Sequence, residues 1–139
     1  MYLIWYTTFV ADQPAEGARS LEGKRVTVVF FRTEAGGEPV RQWLKSLPYG
    51  EDRKRIGADI KTVEFGWPLG MPVCRPLGDG IYEVRTHLTQ NRVARVLFYV
   101  DRKQQMVLLH GVIKKTQKTS GEDLELARRN KSKYQQGER

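Results

Sequence analysis

Cysteine is almost missing from this chain. Among 139 residues only Cys74 carries a thiol, so no internal disulfide can form and a reducing compartment is expected. Histidine is nearly as scarce, with His87 and His110 alone. Neither stands at zinc-ligand spacing from Cys74 or from an acidic cluster, which sets a structural metal aside; no cofactor is expected. There is no apolar run of about 20 residues, the length a membrane span requires. The short apolar segment Tyr2–Val10 is broken by Trp5, Tyr6, Thr7 and Thr8 and has no basic flank, unlike a signal peptide. A cytoplasmic protein is expected. Internal repeats are also absent.

Acid is missing where base is dense. The chain carries a formal net charge of +8. Arg85, Arg92, Arg95, Arg102, Lys103, Lys114, Lys115 and Lys118 lie in one stretch against a single acid, Asp101. Charge concentrated on segments that read as strands offers a polyanion a footprint, and nucleic acid is the favoured partner class. Apolar content of 40% is enough for one core in one domain.

Residues 1–23 read as an N-terminal extension of uncertain role, and residues 24–139 as the main domain. Val26–Phe31 is a β-branched and aromatic run, the first expected strand. Glu38-Pro39 opens a helix in which Val40, Trp43, Leu44 and Leu47 recur at helical spacing until Pro48. A second helix is expected over 51–64, with Ile56, Ile60 and Val63 on one face. Strands follow near Val73–Leu77, Ile81–Thr86, Val93–Val100 and Met106–Ile113, the first two joined through the turn signal Gly78-Asp79-Gly80. Thr119 to Glu122 reads as a capping box opening a terminal helix towards Tyr134. The expected class is α+β: two N-terminal helices packed on a small antiparallel sheet of four to five strands, with a C-terminal helix.

Strand alternation then sorts side chains by face. Glu83, Arg85 and His87 point one way, and Arg95 and Tyr99 lie opposite the apolar Ala94, Val96, Phe98 and Val100. His110 shares a side with Met106 and Leu108. If the apolar faces meet the helices, Glu83, Arg85, Arg95 and Tyr99 form an open face, with His110 and the lysines beside it. Taken singly, Glu83 and Arg85 read better as an ordinary solvated ion pair and Lys114 and Lys115 as a solvated strand end, while His110 reads equally as a satisfied core histidine and Tyr99 as a packed aromatic. Only their convergence favours a functional face.

Three stretches carry a resemblance: Leu77 to Arg85, Arg95 to Tyr99, and His110-Gly-Val-Ile-Lys114-Lys115-Thr-Gln-Lys118-Thr. Together they resemble the HigB-like toxins of the RelE/ParE superfamily, in particular the phage-derived branch, over roughly residues 25 to 134. That resemblance implies a RelE-like fold and a type II toxin acting as a ribosome-dependent mRNA endonuclease. It also implies a cognate helix-turn-helix antitoxin of HigA type, with mRNA and rRNA as further partners. By motif position Arg85 and Arg95 match the family's phosphate-binding residues, and His110, Lys114, Lys115 and Lys118 match its basic tail. Two positions depart from the pattern: Val112 stands where many relatives carry phenylalanine, and Ser120 replaces the usual proline.

The chemistry expected on this reading uses the RNA 2′-OH as nucleophile. It requires a base, positive charge on the pentavalent phosphate, and an acid for the leaving 5′-oxygen. Arg85 and Arg95 suit the phosphate; His110 and Lys115 both suit proton transfer, with Lys114 beside them. Glu83, Arg92, Tyr99 and Lys118 are the expected RNA contacts. Arg95→Ala and Lys115→Ala are each expected to relieve growth arrest without unfolding the protein. Two other functions fit the same residues: a ParE-like gyrase poison, and a basic nucleic-acid-binding module with no chemistry.

Overall fold

Strand-forming and helix-forming patterns separate along the chain much as their periodicities predict. The computed structural model describes residues 23–137, so the expected extension over 1–23 lies, apart from Gly23, outside the described residues. In order come β1 (Thr27–Phe30), α1 (Pro39–Ser46), α2 (Gly50–Gly66), β2 (Cys74–Gly78), β3 (Ile81–His87), β4 (Val93–Val100), β5 (Gln105–Lys114) and α3 (Gly121–Gly137). Pro39 sits in the first turn of α1, where its missing N–H costs nothing. Glu51 and Asp52 occupy the first turn of α2, on the favourable side of the helix dipole. The β2–β3 hairpin turns through Gly78, Asp79 and Gly80, all at positive φ, the conformation for which glycine and aspartate suit a tight turn.

The class is α+β, but two features of the expected fold are corrected. The sheet begins before the helix pair, since β1 precedes α1. It is also mixed rather than antiparallel: the order is β1-β5-β4-β3-β2, and β1 pairs with β5 in parallel. That pairing joins segments more than seventy residues apart, which no local pattern announces. Glu64 anchors β1 from the end of α2. Its carboxylate accepts the Val28 N–H at 2.8 Å, and its backbone carbonyl accepts those of Arg25 and Val26.

Each sheet face has its own core. On one, Val84, Ala94, Val96, Phe98, Met106 and Leu108 pack against Val40, Leu44, Ile56, Ile60 and Val63 of α1 and α2. There Gly111 is fixed by sterics, because an added Cβ would fall on the Trp43 ring. On the other, Ile81, Leu97, Tyr99, Val107 and Leu109 pack against Ala127, Leu124 and Tyr134 of α3. Among the described residues no helix is long and apolar enough to cross a membrane.

A bulge in β5 decides what joins this second face. Phe98 pairs with Leu108 and Leu97 with His110, leaving Leu109 as an extra residue. Such an insertion inverts the alternation beyond it. His110 therefore does not share a side with Met106 and Leu108, as expected; it lies on the α3 face with Leu97, and Lys114 follows it there. Leu109 still reaches the core of that face, so the bulge presents two successive residues to one side.

Candidate active-site face

Arginines from three adjacent strands line up on the α3 face. Arg75 of β2 pairs across from Glu83 of β3, and Arg85 of β3 across from Arg95 of β4. On β5, His110 and Lys114 flank Arg95 diagonally, since they pair with Leu97 and Val93. Directly opposed side chains on neighbouring strands stand about 5 Å apart, so these groups share one neighbourhood.

Glu83 lies at its centre with no exposed surface. Its carboxylate accepts from the Thr119 hydroxyl and faces Arg85 Nη1 at 3.4 Å and Arg95 Nε at 3.9 Å. Above them the segment 115–119 forms a strap. Arg85 Nη1 donates to the Gln117 carbonyl at 3.3 Å, and Arg95 Nη2 donates to the Thr116 carbonyl. Arg95 is wholly buried and Arg85 nearly so. Among the described residues, Arg95 Nε and Nη1 have no hydrogen-bond partner. Burial pushes the Arg95 guanidinium below its ordinary pKa; Glu83 and Asp123 oppose that, while Arg85 and Arg75 reinforce it. Two buried guanidiniums against one carboxylate leave a surplus of positive charge beneath the strap, the electrostatic character an anion requires.

Beside this cluster is a second one, built on the start of α3. Ser120 caps the helix: its hydroxyl accepts the Asp123 N–H at 3.1 Å and donates to Asp123 Oδ2 at 2.7 Å. The capping residue is thus one position later than expected, because Thr119 is spent on Glu83. Asp123 also accepts from His110 Nε2 at 2.8 Å and pairs with Lys114 Nζ at 2.6 Å. Burial alone would raise this carboxyl, but Lys114, His110 and Ser120 outweigh it and hold it down at about 2. Asp123 is therefore ionised at every working pH.

The remaining expected site residues stand outside the buried cluster. Lys115 and Lys118 are exposed on the strap. Arg92, in the β3–β4 connection, is drawn to the α2 side of the sheet, gripping Asp52 at 2.8 and 3.2 Å, and that hydrogen-bonded pair raises its pKa. Tyr99 is buried, edge-on to Tyr134 with Lys131 over its ring. Glu83, Arg85, Arg95 and Tyr99 were all expected on an open face; α3 and the strap cover them. Tyr99 accordingly offers no stacking surface, and Glu83 holds its neighbours rather than meeting solvent.

Arg75, Thr119, Ser120 and Asp123 were missed by the sequence reading. Asp123 had a signal, since Ser120 and Asp123 themselves satisfy the Ser-x-x-Asp capping pattern. Arg75 had one as well, standing opposite Glu83 once the hairpin register through Gly78–Gly80 is drawn.

The family described as phage-derived protein Gp49-like (DUF891) matches residues 42–132. The chain belongs to that family. It lies within the RelE/HigB-like toxin superfamily, and membership is consistent with a toxin of a toxin–antitoxin pair, which suggests an antitoxin partner. In this Gp49-like protein the matched span takes in every strand from β2 to β5, the strap and the Ser120–Asp123 cap. No curated protein matches the chain.

Proposed function

We propose that this Gp49-like protein is the HigB-type toxin of a type II toxin–antitoxin system, an endoribonuclease that cuts mRNA on the ribosome in the cytoplasm. A helix-turn-helix antitoxin of HigA type would neutralise it. The observation that carries the reading is the convergence of Arg75, Arg85, Arg95, His110 and Lys114 on one sheet face. In this mechanism the 2′-oxygen forms its bond to phosphorus as His110 or Lys115 takes its proton. The bond to the 5′-oxygen breaks, and that oxygen receives a proton from an ammonium group. The products are a 2′,3′-cyclic phosphate and a 5′-hydroxyl. Guanidiniums meet the charge that builds on the phosphate oxygens.

The burial of Arg85 and Arg95 adds a requirement. The Thr116 and Gln117 carbonyls each occupy a guanidinium donor that a phosphate would use, so the strap lifts when substrate binds and phosphate oxygens replace the two carbonyls. Lys115 and Lys118, exposed on that strap, meet RNA or rRNA phosphates first.

Expression in growing cells tests the reading. The parent arrests growth and primer extension finds new ends in translated mRNA, whereas Lys115→Ala grows and leaves the message intact. Arrest with uncut mRNA would reject the nuclease and favour a gyrase-directed poison. Full toxicity in Lys115→Ala would remove that lysine from the site.

A further inference from the structure

Asp123 sits between the two basic groups of β5 and is bound to both, with His110 Nε2 at 2.8 Å and Lys114 Nζ at 2.6 Å. An ionised carboxylate only accepts hydrogen bonds. The ring nitrogen facing Asp123 Oδ1 therefore carries the proton. In the neutral imidazole that leaves the lone pair on Nδ1, which has no hydrogen-bond partner among the described residues. The ring is also mostly enclosed, with its side chain 19% exposed. Its orientation is thus set by one contact.

We infer that Asp123 is the positioning residue for His110: it fixes the Nε2–H tautomer, presents Nδ1 to the RNA 2′-OH, and stabilises the imidazolium that forms. This rests on the nuclease reading above and resolves its open choice of base. Nδ1 takes the 2′-OH proton as the 2′-oxygen bonds to phosphorus. The phosphorus–5′-oxygen bond breaks, and the leaving oxygen takes a proton from the Lys115 ammonium, which solvent restores. Lys114, neutralised by the same carboxylate, is held back from that exchange. A carboxylate that orients an imidazole in this way acts through geometry and charge, without itself taking the proton.

A purely structural role for Asp123, pinning α3 to β5 through its cap, is the competing explanation, and Asn130 supplies the control. Asn130 Nδ2 donates to the Leu109 carbonyl at 2.9 Å, a second tie between the same two elements that touches no group of the site. The experiment uses the full chain. Long-range proton–nitrogen correlation spectra report the ring tautomer, and with only two histidines present, His87→Gln assigns them. Steady-state cleavage of translated mRNA gives kcat and KM.

In the parent, His110 is expected to show a low-field, slowly exchanging Nε2–H proton. Asp123→Asn should abolish it and lower kcat roughly 10-fold or more at nearly constant KM. Asp123→Glu, which keeps the charge, should recover part of the rate. Asn130→Ala should destabilise the fold while retaining the ring signal and kcat. An Nδ1–H ring in the parent overturns the inference, as does an Asp123→Asn protein with unchanged tautomer and kcat, or an Asn130→Ala protein that loses both. An Nε2–H ring in a parent that leaves translated mRNA intact would instead reject the nuclease and keep the ring geometry.

Discussion

Arg95 keeps its charge where water does not reach it, and that changes what its removal does. At the sequence level Arg95→Ala was expected to relieve toxicity without disturbing the fold. With Arg95 and Glu83 both fully buried, truncation strips counter-charge from a carboxylate that cannot hydrate. Breaking a buried pair from one side costs about 3 kcal/mol or more. Arg95→Ala is therefore predicted to lose stability together with activity, measured by urea unfolding, whereas Lys115→Ala should unfold like the parent. Asp123 gives a second prediction, in pH. Its pKa is depressed from 3.8 to about 2 in the folded protein, so its contribution is complete above pH 4 to 5 and vanishes as pH falls through 2. The parent should lose on the order of 2 kcal/mol more than Asp123→Asn on acidification across that range, because the amide has nothing to titrate.

At the scale of elements, helices were legible and faces were not. Helix α1 declares itself through Pro39 and the spacing of Val40 and Leu44. By contrast, the residues assigned to an open sheet face proved to be a second interior. Its cover, α3, presents a thin apolar stripe, with Ala127 buried and Leu124 and Tyr134 partly so. A single extra residue in β5 then moved His110 and Lys114 to that side. Alternation alone does not reveal a bulge, since both registers give plausible strands. The strap poses the same difficulty: Lys115 to Lys118 reads as a basic tail, while its backbone carbonyls, invisible in the side-chain pattern, hold two arginines. Thr119 latches the strap to Glu83. Thr119→Val should cost about 1–3 kcal/mol, because a buried carboxylate loses a donor. It should also speed tryptic cutting after Lys115 and Lys118. An unchanged digestion rate would mean the strap is held elsewhere.

Across the whole molecule, the charge concentration read from the sequence survives folding only in part. Arg92 is diverted to Asp52, and Asp101 is buried where its carboxylate accepts the Lys103 and Gln105 N–H groups in the β4–β5 turn. Arg75, Arg85, Arg95, His110 and Lys114 do gather, because strand order places β2 to β5 side by side. Exposed cations, Lys115 and Lys118 of the strap among them, should carry ribosome binding, so affinity is predicted to fall steeply with salt, roughly a thousandfold from 50 to 200 mM if about six phosphates are engaged across the basic surface. The most direct test of the central claim is to map mRNA ends after a purified translation reaction containing the protein. Cuts inside the translated region, with 2′,3′-cyclic phosphate on one side and 5′-hydroxyl on the other, are the predicted result. Intact message, or ends bearing 3′-hydroxyl and 5′-phosphate, would contradict it.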